Sequence, residues 1–143
     1  MPKDSNPYCH CLCFSANALA RNITRISETA FASTGLAPSL AFVLMTVNRR
    51  PGIQPSEVAR IMMLSPSTVS RLVEKLEAKG LLRREGQGRT ILIHSTPAGE
   101  GLFPALQEAW RQTHAAYSGL LGEETGNRLT EQVYAAALAL EPF

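Results

Sequence analysis

Apolar positions recur at a helical spacing through most of this chain. Leu12, Ala16, Leu19, Ile23, Ile26 and Ala30 step alternately by four and three residues, which predicts one long helix over about residues 10–32. Ser33-Thr34-Gly35 ends it. Pro38 and Ser39 open a second segment to about residue 48, in which Leu40, Phe42, Val43, Leu44 and Val47 read as fully buried. By composition alone that segment fits a strand as well as a helix. Arg49-Arg50-Pro51-Gly52 is a turn. Residues 54–64 form a short helix with Pro55 at its first position and Val58, Ile61 and Met62 as its apolar stripe.

The next helix has the clearest boundaries. Ser65 can cap its free amides, Pro66 suits its first position, and Gly80 after Lys79 supplies a left-handed stop. Val69, Leu72, Val73 and Leu76 share one face, and Ser67, Thr68, Ser70, Arg71 and Lys75 lie on the other. That second face is narrow, polar and cationic, a fit for a major groove about 12 Å wide, although an ordinary amphipathic surface helix has the same pattern. Only Leu64 and Ser65 separate the two short helices, which makes them a helix-turn-helix. Residues 81–85 and 90–95 flank Gly86-Gln87-Gly88, the pattern of a β-hairpin, and Arg83, Arg84 and Arg89 cluster on it. Beyond it, Thr96 and Pro97 start a long helix with Pro104 inside, whose stripe runs Leu102, Leu106, Ala109, Trp110, Thr113, Ala116, Tyr117 and Leu120. Gly119 and Gly122 end it, and a last helix over about 123–140 carries Leu129, Val133, Ala136, Ala137 and Leu140 on one face.

Helix, turn, helix and basic hairpin follow one another in the order of a winged helix. From about Leu36 to Gly101 the chain resembles the MarR family of winged-helix transcription regulators. The resemblance is carried by Ser67-Thr68-Val69-Ser70-Arg71, by Leu76-Glu77-Ala78-Lys79-Gly80-Leu81-Leu82-Arg83-Arg84, by Arg89-Thr90-Ile91-Leu92-Ile93 and by Thr96-Pro97-Ala98-Gly99. It decides for helix over residues 38–48. It implies a mainly α fold with a small β wing, a single domain over residues 1–143, a DNA-binding lobe over 36–97 and dimerisation helices over 8–33 and 98–143. It also implies a homodimer on a pseudo-palindromic operator in double-stranded DNA, most often as a repressor released by a signal. The family's wing usually carries an Asp two residues before its arginine. Gln87 stands there in this chain, on a hairpin a few residues shorter than usual.

On this reading Ser67, Thr68, Ser70 and Arg71 face base edges and nearby phosphates, with Lys75 beside them. Arg83 and Arg84 sit on phosphates, and by resemblance Arg89 enters the minor groove. The total net charge is only +2, so the argument rests on distribution. The arginines gather on the hairpin, while Glu100, Glu108, Glu123, Glu124, Glu131 and Glu141 lie in the last third. A winged helix used only for protein contacts is the alternative, and the basic hairpin with Arg71 argues against it.

The chain has 143 residues, 45% of them hydrophobic, enough for one domain with a real core. Met1 to Pro7 is polar, lacks the apolar centre of a signal peptide and reads as a loose tail. The longest apolar run, about residues 40–47, is far below the roughly 18 residues a membrane span needs. A cytoplasmic protein is expected. An enzyme is not, because His10, His94 and His114 are scattered and no glycine-rich phosphate loop is present, and no cofactor is implied.

Cys9, Cys11 and Cys13 are the chain's three cysteines, and they lie within five residues. Three roles compete. One is a redox switch in which Cys13 senses and Cys9 or Cys11 resolves. Leu12-Cys13-Phe14 resembles the Leu-Cys-Phe of the peroxide-sensing OhrR branch, whose thiol-holding tyrosines fall on Asn17 and Ser27 here. A second is a soft-metal site, since Cys9-His10-Cys11 with Cys13 offers three thiolates and an imidazole, although one helix cannot bring all four together. The third is inert packing. Phe14, Phe42, Trp110 and Tyr117 are the residues suited to line a pocket for a small aromatic or lipophilic effector, with core filling as the alternative.

Overall fold

The structure is a computed structural model that describes residues 6–142. The first five residues of the polar tail lie outside the described residues. Six α-helices and one two-stranded antiparallel sheet follow in the order α1 (Leu12–Phe31), α2 (Pro38–Arg49), α3 (Pro55–Met62), α4 (Pro66–Ala78), β1 (Leu82–Gln87), β2 (Thr90–Ser95), α5 (Pro97–Leu121) and α6 (Glu123–Ala139). The segment over residues 38–48 is a helix, and the protein is a mainly helical winged helix. A 3₁₀ turn, Ala32–Thr34, closes α1, with Gly35 left-handed after it at φ 77°. No single helix among the described residues is long and apolar enough to cross a membrane.

The chain divides into two compact units, residues 28–110 and a second made of residues up to 27 with those from 111 onward. In the first, α2 supplies Val43, Leu44 and Val47, α3 supplies Val58, and α4 supplies Val69, Val73 and Leu76. With Phe31, Ile93 and Leu106 they form a fully buried core. Each such side chain contributes about 1.5–3 kcal/mol by leaving water. Ile61 was expected on this inner stripe, but it is 40% exposed. The eight residues of α3 give it about two turns, so its inner face is filled by Val58 and Ala59 with Met62 partly buried.

The hairpin register pairs Leu82 with Ser95 and Gln87 with Thr90. The strands therefore run through Gly86 and Gln87, and the turn is Gly88-Arg89, with Gly88 at φ 64°. A turn over residues 86–88 was expected. The glycine that allows a tight two-residue turn is the second of the pair. Ile53 bridges to Ile93, giving the hairpin base a one-residue third strand. In the other unit α6 begins at Glu123, straight after Gly122, and buries only Gly126. Leu12, Leu120, Val133, Tyr134, Leu138 and Leu140 stay exposed.

Candidate nucleic-acid interface

The turn between α3 and α4 is closed by Met63 in the left-handed conformation, at φ 55°. The Leu64 amide donates to the Ala59 carbonyl at 3.1 Å, which satisfies a free carbonyl at the end of α3. A glycine is the usual signal for such a stop, and without one the sequence pattern carries the helix to residue 64, where the structure ends it at Met62. Glu57 ties the turn to its surroundings. It accepts from Arg60 Nε at 3.0 Å and from Arg50 Nη1 at 3.1 Å. The hydrogen bonds from Arg60 and then Arg50 lower its carboxyl pKa to about 2.

Ser65 caps α4 as expected, its hydroxyl accepting from the Thr68 amide at 3.2 Å. The Ser67 and Thr68 hydroxyls lie 3.2 and 2.8 Å from the same oxygen. Two of the hydroxyls assigned to DNA thus also belong to a capping cluster, with Thr68 half-buried. Ser67, Arg71 and Lys75 follow one another at four-residue steps, so they share one exposed stripe of α4. Ser70 is half-buried beside it. Among the described residues no carboxylate forms an ion pair with Arg71 or Lys75.

The three hairpin arginines fall into different situations. Arg84 Nε lies 2.6 Å from Glu77 Oε1, on the last turn of α4. Arg83 Nη1 lies 3.4 Å from Glu85 Oε2 on its own strand, and His94 Nε2 is 3.2 Å from the same oxygen. Arg89 is exposed in the two-residue turn and has no ion-pair partner among the described residues. Gln87, where the resemblance to the MarR family would place an Asp, pairs with Thr90 across the hairpin.

Sequence reasoning missed two further features of this unit. Glu77 has no local signature, because its partner lies seven residues away in another element. Arg49 is the second, its guanidinium carbon 5.2 Å from the Trp110 ring centre and 5.7 Å from that of Phe103.

Phe42 meets Trp110 edge-on with ring centres 6.3 Å apart, and meets Phe31 at a tilt with ring centres 6.1 Å apart. Phe14 pairs with Tyr8, and Tyr117 with His114. In the unit formed by the chain ends, a groove of about 250 Å3 is lined by Leu19, Ile23, Tyr117, Leu121, Gly126, Leu129, Thr130 and Val133. It includes Tyr117 and not Phe14. Cys9, Cys11 and Cys13 are free and exposed. Asn17 Nδ2 donates to the Cys13 carbonyl at 2.7 Å and lies 3.8 Å from its sulfur. No set of three or more histidine, cysteine or acidic residues converges on a metal position among the described residues. Within one chain Cys9 and His10 lie in a turn and Cys13 already in α1, so the soft-metal arrangement does not assemble.

Residues 34–90 match the model of the MarR family. The HTH-type transcriptional regulator YybA of Bacillus subtilis is 27% identical over 110 residues, covering 74% of this chain and 73% of that protein. CouR of Rhodococcus jostii RHA1, solved with p-coumaroyl-CoA, superposes with a TM-score of 0.75 at 24% identity, over 92% of this chain and 94% of that one. The transcriptional repressor CouR bound to a 23-mer DNA duplex gives 0.81 at 17% identity, over 90% and 93%.

Proposed function

We propose that the chain is a winged-helix regulator of the MarR family that works as a homodimeric, sequence-specific DNA-binding transcription regulator, a repressor released from its operator by a signal. The observation that carries this reading is the exposed stripe of Ser67, Arg71 and Lys75 on α4, whose two cations have no carboxylate partner among the described residues. Placed in a major groove, α4 directs Arg71 to a guanine edge or a phosphate, with the hydroxyls of Ser67, Thr68 and Ser70 beside it. Arg83 and Arg84 lie on β1 of the wing, each beside a carboxylate, and Arg89 at the tip is the minor-groove group.

The exposed apolar residues of α1 and α6, with Leu140 just after α6, support a two-fold dimer, in which a second copy covers Leu12, Val133, Leu138 and Leu140. Such a dimer sets its reading helices roughly 34 Å apart and reads a pseudo-palindrome. Two signals fit the chain. One is a small aromatic or lipophilic ligand held by some of Phe14, Phe42, Trp110 and Tyr117, a reading supported by the ligand-bound structure of CouR. The other is oxidation of the exposed Cys13. Hydrogen peroxide oxidises its thiol by two electrons, the O–O bond breaking to leave a sulfenic acid on the sulfur and one water. The thiol of Cys9 or Cys11 then displaces a second water to form a disulfide.

The test is selection of duplexes from a random-sequence pool by the purified full chain, followed by titration of the winning duplex. Wild type should enrich a two-fold symmetric sequence. Arg71→Ala should lose about 1–3 kcal/mol of affinity for it. No enrichment over the random pool would refute the DNA reading. Peroxide should release the duplex from wild type and not from Cys13→Ser, and identical responses would assign Cys13 to packing.

A further inference from the structure

We infer that Glu77 and Arg84 form a strut that fixes the wing against the reading helix, so that Arg84 is a positioning residue acting through Glu77 and not a phosphate contact. The inference rests on the DNA reading above for its functional consequence, but the strut itself is a property of the free protein.

Apolar burial anchors the hairpin only at its base. Leu82 is the one buried residue of β1 and Ile93 the one buried residue of β2, and the bridge from Ile53 also meets Ile93. Past Leu82 every side chain of β1 is exposed. A two-stranded ribbon has little stability of its own. At about 3.3 Å per residue, the tip at Gly88 lies about 20 Å from Leu82 but only about 13 Å from Arg84. A hold at Arg84 therefore shortens the free lever by about a third.

Arg84 is suited to be that hold. It lies two residues from Leu82, so both point to the same face of the strand. Its Nε is 2.6 Å from Glu77 Oε1, and this is the described ion pair that joins β1 to α4. Glu77 Oε1 is shielded from solvent and has no hydrogen-bond partner among the described residues, so the Arg84 guanidinium beside it is what balances its charge. A shielded carboxylate oxygen left without a cation is costly, so Arg84 does not leave Glu77 for a phosphate without that penalty. Arg83, on the opposite face, differs. Its pair with Glu85 is exposed on both sides and lies within one strand, so it fixes nothing to α4.

The strut and plain charge counting predict opposite signs. Removing the Glu77 carboxylate takes an anion away from the DNA face and frees a cation, which by charge alone tightens binding. If the pair is a strut, the same change loosens the wing, and Arg89 loses its fixed distance from Arg71.

The experiment uses the full chain as wild type, Glu77→Gln, Arg84→Ala and the swapped double variant Glu77→Arg with Arg84→Glu. Amide hydrogen exchange of the free protein is compared over residues 84–93. Binding is measured on the duplex selected by wild type and on a random-sequence duplex, across a salt series. Expected results are faster wing exchange in both single variants and about tenfold weaker binding of the selected duplex, with the random duplex unchanged. The salt slope of Arg84→Ala should stay within about half a unit of wild type. The swapped variant should recover both exchange protection and affinity. Unchanged wing exchange, tighter binding by Glu77→Gln, or a slope lowered by about 0.9 in Arg84→Ala would overturn the strut. If wild type selects no duplex, the DNA reading fails by itself, and the exchange comparison still decides the strut.

Discussion

Two glycines in the first turns of α5 should respond to the same substitution with opposite signs. Gly99 is buried, and a Cβ placed on it would lie 2.2 Å from the Leu81 carbonyl oxygen and 3.3 Å from Leu44 Cδ1. A Cβ on Gly101 meets nothing within 4 Å. Helix propensity alone favours alanine at either position by about 1 kcal/mol. At Gly101 nothing opposes that gain. At Gly99 the contact must open by roughly 1 Å, and overpacking of this kind costs about 1–3 kcal/mol. The surroundings cannot yield cheaply, because the clashing atom is backbone and is itself engaged. The Leu81 carbonyl accepts from the Thr96 amide at 3.1 Å, the Thr96 hydroxyl donates to the Gly80 carbonyl at 2.6 Å, and Asn48 Nδ2 donates to the Gly99 carbonyl at 3.2 Å. Gly99→Ala should therefore end up about 2 kcal/mol less stable than Gly101→Ala. Urea denaturation of both variants beside wild type measures this as a difference in midpoint at constant slope. Leu81 leads directly into β1, so Gly99→Ala should also weaken operator binding. Equal stabilisation by the two substitutions would refute the close packing of α5 on the α4–β1 turn.

Glu57→Gln should lower the melting temperature at neutral pH. The folded-state pKa is depressed from 4.5 to about 2 by the hydrogen bonds from Arg60 and Arg50, so the stabilisation is present above the unfolded value and lost as pH falls. The gap between wild type and variant should close between about pH 4.5 and 2, and a pH-independent gap in a melting series would argue against the Arg60–Glu57–Arg50 network. Ile23→Glu puts a charge in the apolar groove beside Leu19 and Val133. If the chain pairs as proposed above, the variant should sediment as a monomer and bind its operator more weakly than wild type, and a wild-type monomer at micromolar concentration would remove the basis for this expectation.

Most of the fold was legible because its punctuation is local. Pro38, Pro55, Pro66 and Pro97 each open a helix, Gly35 and Gly80 adopt the left-handed stops, and the Ser65 and Thr96 hydroxyls each accept from the amide three residues on. These signals act within one turn of chain, so the sequence carries them intact. What escaped depends on partners distant in sequence. The hairpin register puts Leu82 and Ile93, the buried residues of the two strands, on one face toward the core, and it places the turn at Gly88-Arg89 instead of residues 86–88. The outward position of Ile61 follows from the neighbours that already fill the core under α3. Met63 adopts the left-handed conformation without the glycine that would announce it.

The candidate site shows the same division, and it leads to a number. A sequence displays arginines but not their carboxylates, so Arg71, Lys75, Arg83, Arg84 and Arg89 looked equivalent. The structure separates them into two that hold carboxylates, Arg83 and Arg84, and three that have no ion-pair partner among the described residues. A cation already neutralised by a fixed carboxylate releases few counterions when DNA arrives. In a two-fold dimer the three unpaired cations give about six phosphate neutralisations, and the logarithm of affinity should fall against the logarithm of salt with a slope of about −5. If all five cations per protomer engage phosphates, the count is about ten and the slope about −9. Anisotropy titrations of one duplex over a salt series distinguish these values readily. A slope near −9 would mean that Glu77 and Glu85 release their arginines to the DNA. A slope near −5 that is unchanged in Arg83→Ala would mean that the ion pairs persist in the complex, and that the reading head keeps its shape on binding.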